Sequence, residues 1–190
     1  MPHSVPLDEE GWLRRARRVR SPNFDARPAG ATIDLVVVHN ISLPPGRFGG
    51  GGVAQLFTNA LDAREHPYYA TVADLRVSSH FFIRRSGALI QFVPCAMRAW
   101  HAGASQWKGR ERCNDFSIGI ELEGTDTRAF TARQYVRLAR LLELLRDRYA
   151  ITDVAGHSDI APGRKTDPGP AFDWARLRSL TNAGVAMPVR

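Results

Sequence analysis

Two histidines of this sequence each follow a short apolar run. His39 comes directly after VVV, and His157 comes directly after DVAG. Short β-branched runs indicate strands buried in a sheet, and active sites in sheets flanked by helices gather at strand ends. Neutral imidazole is also the commonest metal ligand in proteins. The two histidines are therefore candidate ligands of one metal ion, and the alternative is that each is an ordinary structural histidine.

A carboxylate would complete a hydrolytic metal site. Catalytic zinc takes three protein ligands and keeps a fourth position for water, and two histidines with one carboxylate form such a set. Asp167 follows His157 by ten residues, in a loop that prolines and glycines would stiffen. Asp159, two residues after His157, is the rival ligand, or else a turn residue or a group behind the ligands. The same set also suits non-haem iron, so the residues alone leave the metal and the third ligand open.

Hydrolysis at such a metal needs a proton acceptor for the water and a cation for the oxyanion. In SIGIELEG, residues 117–124, apolar side chains alternate with Glu121 and Glu123. Glu121 is the candidate base, because a carboxylate on an inner face must be paired, near a metal or functional. Glu123 lies nearer the strand end and is interpreted as a solvated rim charge. Lys165 stands two residues before Asp167 and is the candidate cation.

The chain is basic, with a net charge of +7 and a pI of about 10.2. A basic surface attracts anions, and RRARRVR at residues 14–20 could bind nucleic acid. No recognition-helix, zinc-finger or aromatic RNA-binding motif accompanies this run, so a solvated helix or strand edge is favoured.

Cys95 and Cys113 are too few for a disulfide framework and have no evident adjacent base, so both are interpreted as buried thiols.

Strands and helices must alternate to position these residues. The segments that indicate strands are residues 33–39, 117–124 and 152–157. The runs on either side of Ser86-Gly87 indicate a hairpin. The segments that indicate shorter helices are residues 53–61 and 172–180. This order predicts an α/β or α+β fold with a mixed sheet packed by helices.

The clearest helix begins after Thr131. Thr131 and Gln134 form a capping box, and Phe130 with Tyr135 forms a hydrophobic staple. Apolar residues then recur at helical spacing and predict one buried stripe. The members of that stripe are Tyr135, Leu138, Leu141, Leu142 and Leu145.

Length and composition favour one domain. The chain has 190 residues, of which 44% are hydrophobic, which suits a single core. No apolar run approaches the roughly 20 residues that span a bilayer, and the polar start lacks the apolar centre of a secretory signal. A cytoplasmic protein is therefore expected.

The glycine run at residues 49–52 lacks the ending of a phosphate loop and predicts a mobile loop.

Five segments together resemble the zinc-dependent N-acetylmuramoyl-L-alanine amidases: VVVHNISLPPGRFGG, RVSSHFFIRRSG, RAWHAG, GRERCNDFSIGIELEGTD and GHSDIAPGRKTDPGPAFDW. The likeness is greatest to the cytoplasmic branch that acts on 1,6-anhydro sugars. It implies a single α/β (α+β) domain, with a mixed central β-sheet flanked by helices and a zinc cleft on one face. The implied parts are an N-terminal extension (1–10), the amidase domain (11–182) and a C-terminal tail (183–190).

The resemblance also implies the residues of the site. Its metal ligands fall on His39, His157 and Asp167, which would hold one zinc ion. Its catalytic glutamate falls on Glu121 and its catalytic lysine on Lys165. The substrate-binding residues that it implies are Asn40, Arg76, Trp100, His101 and Arg112.

The implied reaction is hydrolysis of the amide between the lactyl group of (1,6-anhydro)-N-acetylmuramic acid and L-alanine of the stem peptide. Glu121 would act as general base and then acid, while zinc and Lys165 stabilise the oxyanion. The implied role is cytoplasmic peptidoglycan recycling, which also limits β-lactamase induction. The acidic muropeptide would explain the basic surface without nucleic acid or membrane, and a monomer is expected. The alternatives are a non-catalytic peptidoglycan-recognition module, an amidase of intact cell wall, and a nucleic-acid-binding protein.

Overall fold

The computed structural model describes residues 7–181 and 184–189. Part of the predicted N-terminal extension (residues 1–6), the predicted domain end (residues 182 and 183) and residue 190 lie outside the described residues. The strands are β1 (Arg17–Arg18), β2 (Phe24–Ala26), β3 (Leu35–Ile41), β4 (Phe81–Ile83), β5 (Leu89–Gln91), β6 (Met97–Ala99), β7 (Gln106–Trp107), β8 (Arg110–Glu111), β9 (Ser117–Glu123) and β10 (Asp153–Gly156). The helices are α1 (Gly52–Phe57), α2 (Pro67–Val72), α3 (Ala132–Arg146), α4 (His157–Ile160) and α5 (Trp174–Leu180).

The main sheet is mixed, with the strand order β1–β5–β4–β9–β3–β10. Strands β4, β9, β3 and β10 run parallel to one another, whereas β5 is antiparallel to β4. The central strand β9 is buried along its whole length, as expected for a parallel strand covered on both faces. The predicted mixed sheet flanked by helices is confirmed.

Alternation along β9 divides its side chains between two layers. Ile118, Ile120 and Leu122 pack in the core formed with α3 and α5. The residues between them, among them Glu121, face the opposite side of the sheet. The predicted division into an apolar and a polar face is therefore confirmed, and the polar face is the one that carries the site.

Helix α3 covers the apolar face and matches its sequence signals. Thr131 Oγ1 accepts from the Gln134 N–H, and the Gln134 side chain accepts from the Thr131 N–H, so the capping box is formed. Such a cap contributes about 1 kcal/mol. The Phe130 and Tyr135 rings lie 6.5 Å apart between centroids. The five residues of the predicted stripe are all buried in the core.

Two strand ends differ from the sequence expectation. β3 does not end at His39 but continues to Ile41, because its pairing with β9 extends to the end of that strand. β10 ends at Gly156, and His157 is the first residue of α4. Both histidines nevertheless lie toward the carboxyl ends of adjacent parallel strands.

The predicted hairpin is confirmed. β4 and β5 pair antiparallel, with Phe81 opposite Gln91. Gly87 adopts a φ of +82°, a conformation that glycine accepts without steric cost. The sequence did not reveal α2 or the short pairs β2–β6 and β7–β8. Strands of two or three residues and a helix of six residues carry too little periodicity to be recognised.

The arginine run forms a strand edge, as favoured from its sequence. β1 is the outermost strand of the sheet, and its two arginines are exposed. Arg18 pairs with Asp8 at 3.2 Å, and its guanidinium lies 5.2 Å from the Trp12 ring centroid. Leu7, within the predicted extension, is only 3% exposed and belongs to the core.

The remaining expectations concern single features. Cys95 and Cys113 are buried and free, as predicted, and burial raises the pKa of Cys95 to about 12. At the glycine run, the Gly49 N–H donates to Glu123 Oε1 at 2.6 Å, and Gly52 begins α1. Within residues 7–181 and 184–189, no helix is both long enough and apolar enough to cross a membrane.

Candidate active site

Three side chains from separate segments meet near the carboxyl ends of β3 and β10. His39 Nδ1 lies 2.9 Å from His157 Nδ1 and 3.0 Å from Asp167 Oδ2. His157 Nδ1 lies 3.1 Å from the same carboxylate oxygen. Three potential ligand atoms therefore converge on one small space.

This donor set fits a zinc ion. Two imidazole nitrogens and one carboxylate oxygen form a typical catalytic zinc set, and tetrahedral ligands at zinc bond lengths stand about 3.3 Å apart. The observed separations of 2.9–3.1 Å are close to that value. At such a distance the two facing Nδ1 atoms cannot both carry a proton. Both can bind a cation only when their rings are neutral.

The rival carboxylate is engaged elsewhere. Asp159 Oδ2 accepts from the Gly156 N–H at 2.7 Å and so caps the start of α4. The structure thus brings Asp167, rather than Asp159, to the two histidines. This distinction depends on the course of the loop after α4, which the spacing in the sequence did not define.

The electrostatics prepare His39 and Asp167 for a cation. Burial, followed by the neighbouring His157, lowers the pKa of His39 to about 4, against the opposing effect of Asp167. Burial alone would raise the pKa of Asp167, but the adjacent His157 and His39 side chains hold it well below its usual range. A neutral imidazole beside an ionised carboxylate is the state that metal binding requires.

Glu121 lies beside this cluster. In the parallel register of β3 and β9 it stands directly opposite His39. Glu121 is 8% exposed, and its Oε2 atom has no hydrogen-bond partner. Burial, together with repulsion from Asp167, raises its pKa well above the ordinary value, and the Lys165 cation acts in the opposite direction. A buried, unpaired carboxylate oxygen with a raised pKa is the expected form of a proton acceptor.

The interpretation of Glu123 as a solvated rim charge was wrong. Glu123 is only 4% exposed. Its two oxygens accept from the N–H groups of Gly49 at 2.6 Å and Arg85 at 2.9 Å, and Arg84 approaches to 3.5 Å. These partners come from distant loops, and they make Glu123 a structural anchor on the same face as Glu121.

A cleft of about 290 Å³ opens over the cluster. His39, His157, Asp167, Glu121 and Lys165 all line it. One wall is apolar, and its side chains come mainly from α1, α2 and the segments beside them: Leu43, Leu56, Phe57, Tyr68, Val72, Leu75 and Val77. The sequence did not single out this wall, because its residues are of the same types as those of an ordinary core.

The substrate-binding residues implied by the resemblance divide into two groups. Asn40, Trp100 and His101 line the cleft. Asn40 donates to Asp126 Oδ1 at 2.6 Å, and the Trp100 indole N–H donates to Asp25 Oδ1 at 3.1 Å. These bonds fix both side chains at the rim.

The two arginines lie outside the cleft lining. Arg76 is exposed and donates to the Ala73 carbonyl at 3.3 Å. The Arg112 side chain is 70% exposed and pairs with Asp115 at 3.3 Å. The structure does not bring either guanidinium into contact with the metal-ligand cluster, although both remain accessible to an extended ligand.

Gly119 leaves space beside β9, and the ring of His101 occupies that space. A Cβ atom on Gly119 would lie 2.5 Å from His101 Cγ. His101 in turn lies 3.0 Å from His39, measured between its Nδ1 and His39 Nε2.

Comparison with known proteins identifies the family. The family model described as N-acetylmuramoyl-L-alanine amidase matches residues 29–170. The 1,6-anhydro-N-acetylmuramyl-L-alanine amidase AmpD of Escherichia coli (strain K12) is 60% identical over 178 residues, which are 93% of this chain and 97% of that protein. AmpD of Haemophilus influenzae (strain ATCC 51907 / DSM 11121 / KW20 / Rd) is 49% identical over 174 residues, covering 90% of this chain and 95% of that protein.

Solved structures agree. The crystal structure of a Se-Met AmpD derivative matches with a TM-score of 0.90 at 60% identity, covering 93% of this chain and 99% of that one. AmiD from E. coli, in complex with the substrate anhydro-N-acetylmuramic acid-L-Ala-D-gamma-Glu-L-Lys, matches with a TM-score of 0.59 at 30% identity, covering 93% of this chain and 66% of that one. This chain therefore belongs to the N-acetylmuramoyl-L-alanine amidase family and is a hydrolase of that family.

Proposed function

We propose that this chain is a zinc-dependent amidase that cleaves the amide between the lactyl group of 1,6-anhydro-N-acetylmuramic acid and L-alanine of the stem peptide. One zinc ion would be held by His39, His157 and Asp167. The observation that carries the proposal is Glu121, whose unpaired Oε2 lies in a buried position opposite a potential metal ligand. The 60% identity to E. coli AmpD, whose name states this activity, supports the choice of substrate.

The residues of the cleft divide the chemistry among them. Zinc bound at the three ligands supplies Lewis acidity toward water and the amide carbonyl. Glu121 accepts the proton of the attacking water at a carboxylate oxygen and delivers it to the departing amine of L-alanine. Its burial makes it a stronger base than a solvated glutamate, because the ionised form is poorly stabilised there. Lys165 lines the same cleft and provides a positive charge for the developing oxyanion.

Substrate binding would use the cleft and its basic rim. Trp100 presents an indole, fixed at its N–H end by Asp25, against which a sugar ring can pack. The amide of Asn40, held by Asp126, stands beside His39 in the chain and lines the same cleft. Arg76 and Arg112 are placed outside it, where they could bind carboxylates of the stem peptide as it extends from the reacting amide.

The cellular role follows from the substrate. Release of the peptide from an anhydromuropeptide is a step of peptidoglycan recycling, which we place in the cytoplasm and which would limit β-lactamase induction. We expect the protein to act as a monomer on this small substrate. A peptidoglycan-recognition module is the second candidate, and it is disfavoured because all potential ligands, Glu121 and Lys165 are present together.

Metal analysis combined with product detection tests the proposal. Purified protein should contain one zinc ion per chain and release free peptide from an anhydromuramyl-peptide, as seen by mass spectrometry. Removal of zinc by a chelator should abolish this release, and added zinc should restore it. Protein that holds one zinc ion and binds the muropeptide but releases no peptide would be a recognition module. Comparing rates on anhydro and reducing-end muropeptides would show how strictly the sugar is recognised.

A further inference from the structure

The ring of His101 contacts a potential metal ligand on its outer side. His39 turns Nδ1 toward His157 and Asp167, so Nδ1 is the nitrogen available to a metal ion. Its other nitrogen, Nε2, lies 3.0 Å from His101 Nδ1. A ligand nitrogen must present its lone pair to the metal, so the proton of neutral His39 belongs on Nε2, where it donates to His101 Nδ1.

The direction of this hydrogen bond determines the next one. Because His101 Nδ1 accepts, the proton of the neutral His101 ring must sit on Nε2. His101 Nε2 lies 3.2 Å from Ser117 Oγ, on a serine that is fully buried. The chain of hydrogen bonds therefore runs from His39 through His101 to Ser117, and each ring N–H in it has an acceptor.

Other residues hold the His101 ring in this orientation. Gly119 allows the ring to lie directly against β9, where any Cβ would collide with it. The backbone N–H groups of His101 and Ala102 both donate to Asn114 Oδ1, at 3.2 and 2.8 Å. The His101 ring also meets the His39 ring edge-on, with centroids 5.1 Å apart. Backbone hydrogen bonds, the contact with β9 and the contact with His39 thus define the position of the His101 ring.

The second histidine is supported from the same short segment. His157 Nε2 lies 3.0 Å from the carbonyl oxygen of Ala102. That contact places the His157 proton on Nε2 and leaves its Nδ1 free, as for His39. The adjacent residues His101 and Ala102 therefore orient both imidazoles, one through a side chain and the other through a carbonyl.

We propose that His101 is a positioning residue, which fixes the tautomer and ring orientation of His39 for the metal ion with Ser117 as its own support. This assigns His101 a role different from the substrate contact that the family resemblance implies. The inference rests on the metal-dependent function proposed above. Loss of such outer hydrogen bonds commonly costs 10- to 100-fold in metal affinity or activity.

Zinc affinity measured by competition with a chromophoric chelator tests this role directly, without substrate. His101→Phe keeps an aromatic ring but removes the acceptor, and we expect zinc affinity to fall about 10- to 100-fold. His101→Asn restores an acceptor near the position of Nδ1 and should recover part of the loss. Ser117→Ala should weaken zinc binding less than His101→Phe, and it should add nothing further in the His101→Phe background. His66 caps α2 and does not itself line the cleft, so His66→Ala is the matched control and should bind zinc as the wild type does.

Two outcomes would overturn the inference. If His101→Phe binds zinc as tightly as the wild type and only raises KM, His101 is a substrate contact. If His101→Phe does not fold, His101→Ala also removes the acceptor, and unchanged zinc affinity in that variant would contradict the inference equally. Failure of the wild-type protein to bind zinc is a separate result, because it would instead contradict the proposed function.

Discussion

Glu121 stands directly opposite His39 across the parallel pair β9 and β3. Both side chains lie on the same face of the sheet, since paired residues of neighbouring strands point the same way. The register of two central, buried strands therefore sets the separation between the proposed base and a proposed metal ligand. Neither group depends on a loop for its position, which suits a site that must hold reacting groups within narrow tolerances.

Glu121→Gln should separate catalysis from metal binding. The amide keeps the size of the side chain but cannot accept the water proton, so kcat should fall by about 10²- to 10⁴-fold. Zinc content should stay near one ion per chain, because Glu121 is not among the converging ligand atoms. Product release measured by mass spectrometry, together with metal analysis of the same sample, checks both expectations.

The matched control for that variant is Glu111→Gln. Glu111 lies exposed on β8, and the same loss of one carboxylate there should leave turnover unchanged. Turnover retained in Glu121→Gln would show that another group accepts the proton. Loss of zinc in Glu121→Gln would make Glu121 a ligand instead.

Alanine variants of the two rival aspartates should give opposite results for zinc binding. Asp167→Ala removes one of three converging ligand atoms and should abolish stoichiometric zinc binding. Asp159→Ala should keep the zinc, but it removes the acceptor for the Gly156 N–H and should lower the free energy of unfolding by about 1 kcal/mol. Metal analysis and urea unfolding of both variants test the assignment. Zinc lost from Asp159→Ala and retained in Asp167→Ala would reverse it.

Local signals in the sequence were sufficient for much of the fold. The start of α3 is encoded by Thr131 and Gln134, which lie three residues apart, and its buried stripe by a helical period. The apolar run of β3 and the alternation of β9 likewise depend only on neighbouring residues. The types of the candidate site residues could be recognised because imidazole and carboxylate groups have few roles at the ends of buried strands.

Long-range pairing could not be read in the same way. Glu123 was placed at a solvated rim because its partners, the N–H groups of Gly49 and Arg85, are distant in the sequence. The choice between Asp159 and Asp167 depended on how one loop turns. The contact of His101 with His39 joins residues 62 positions apart, and no local pattern indicates it.

Gly119→Ala should show how closely His101 packs against β9. The new methyl group would lie 2.5 Å from the His101 ring, so the ring or the strand must move. We expect a loss of about 1–3 kcal/mol in the free energy of unfolding and weaker zinc binding. Gly51→Ala is the control, because the nearest atom to its added Cβ is 3.8 Å away. Equal stability of the two variants in urea would mean that the space beside Gly119 can adapt.

The buried ring of His80 should make the metal-free protein sensitive to acid. Its Nδ1 accepts from the Gly119 N–H at 3.0 Å. Burial, together with the Arg27 cation, lowers the pKa of His80 from 6.5 to about 3, against a hydrogen bond to the Met97 carbonyl. The folded state therefore keeps this ring neutral at pH values where the unfolded chain protonates it.

The direction of the pH effect follows from this difference. Above pH 6.5 the ring is neutral in both states, so His80 contributes nothing to pH dependence. Between pH 6.5 and about 3 the unfolded chain binds one more proton, and stability falls by up to about 1.4 kcal/mol per pH unit. Urea unfolding of the metal-free wild type and of His80→Asn at several pH values measures this slope. The variant should be less stable at neutral pH but lose less on acidification, and equal slopes in the two proteins would contradict a neutral, buried His80.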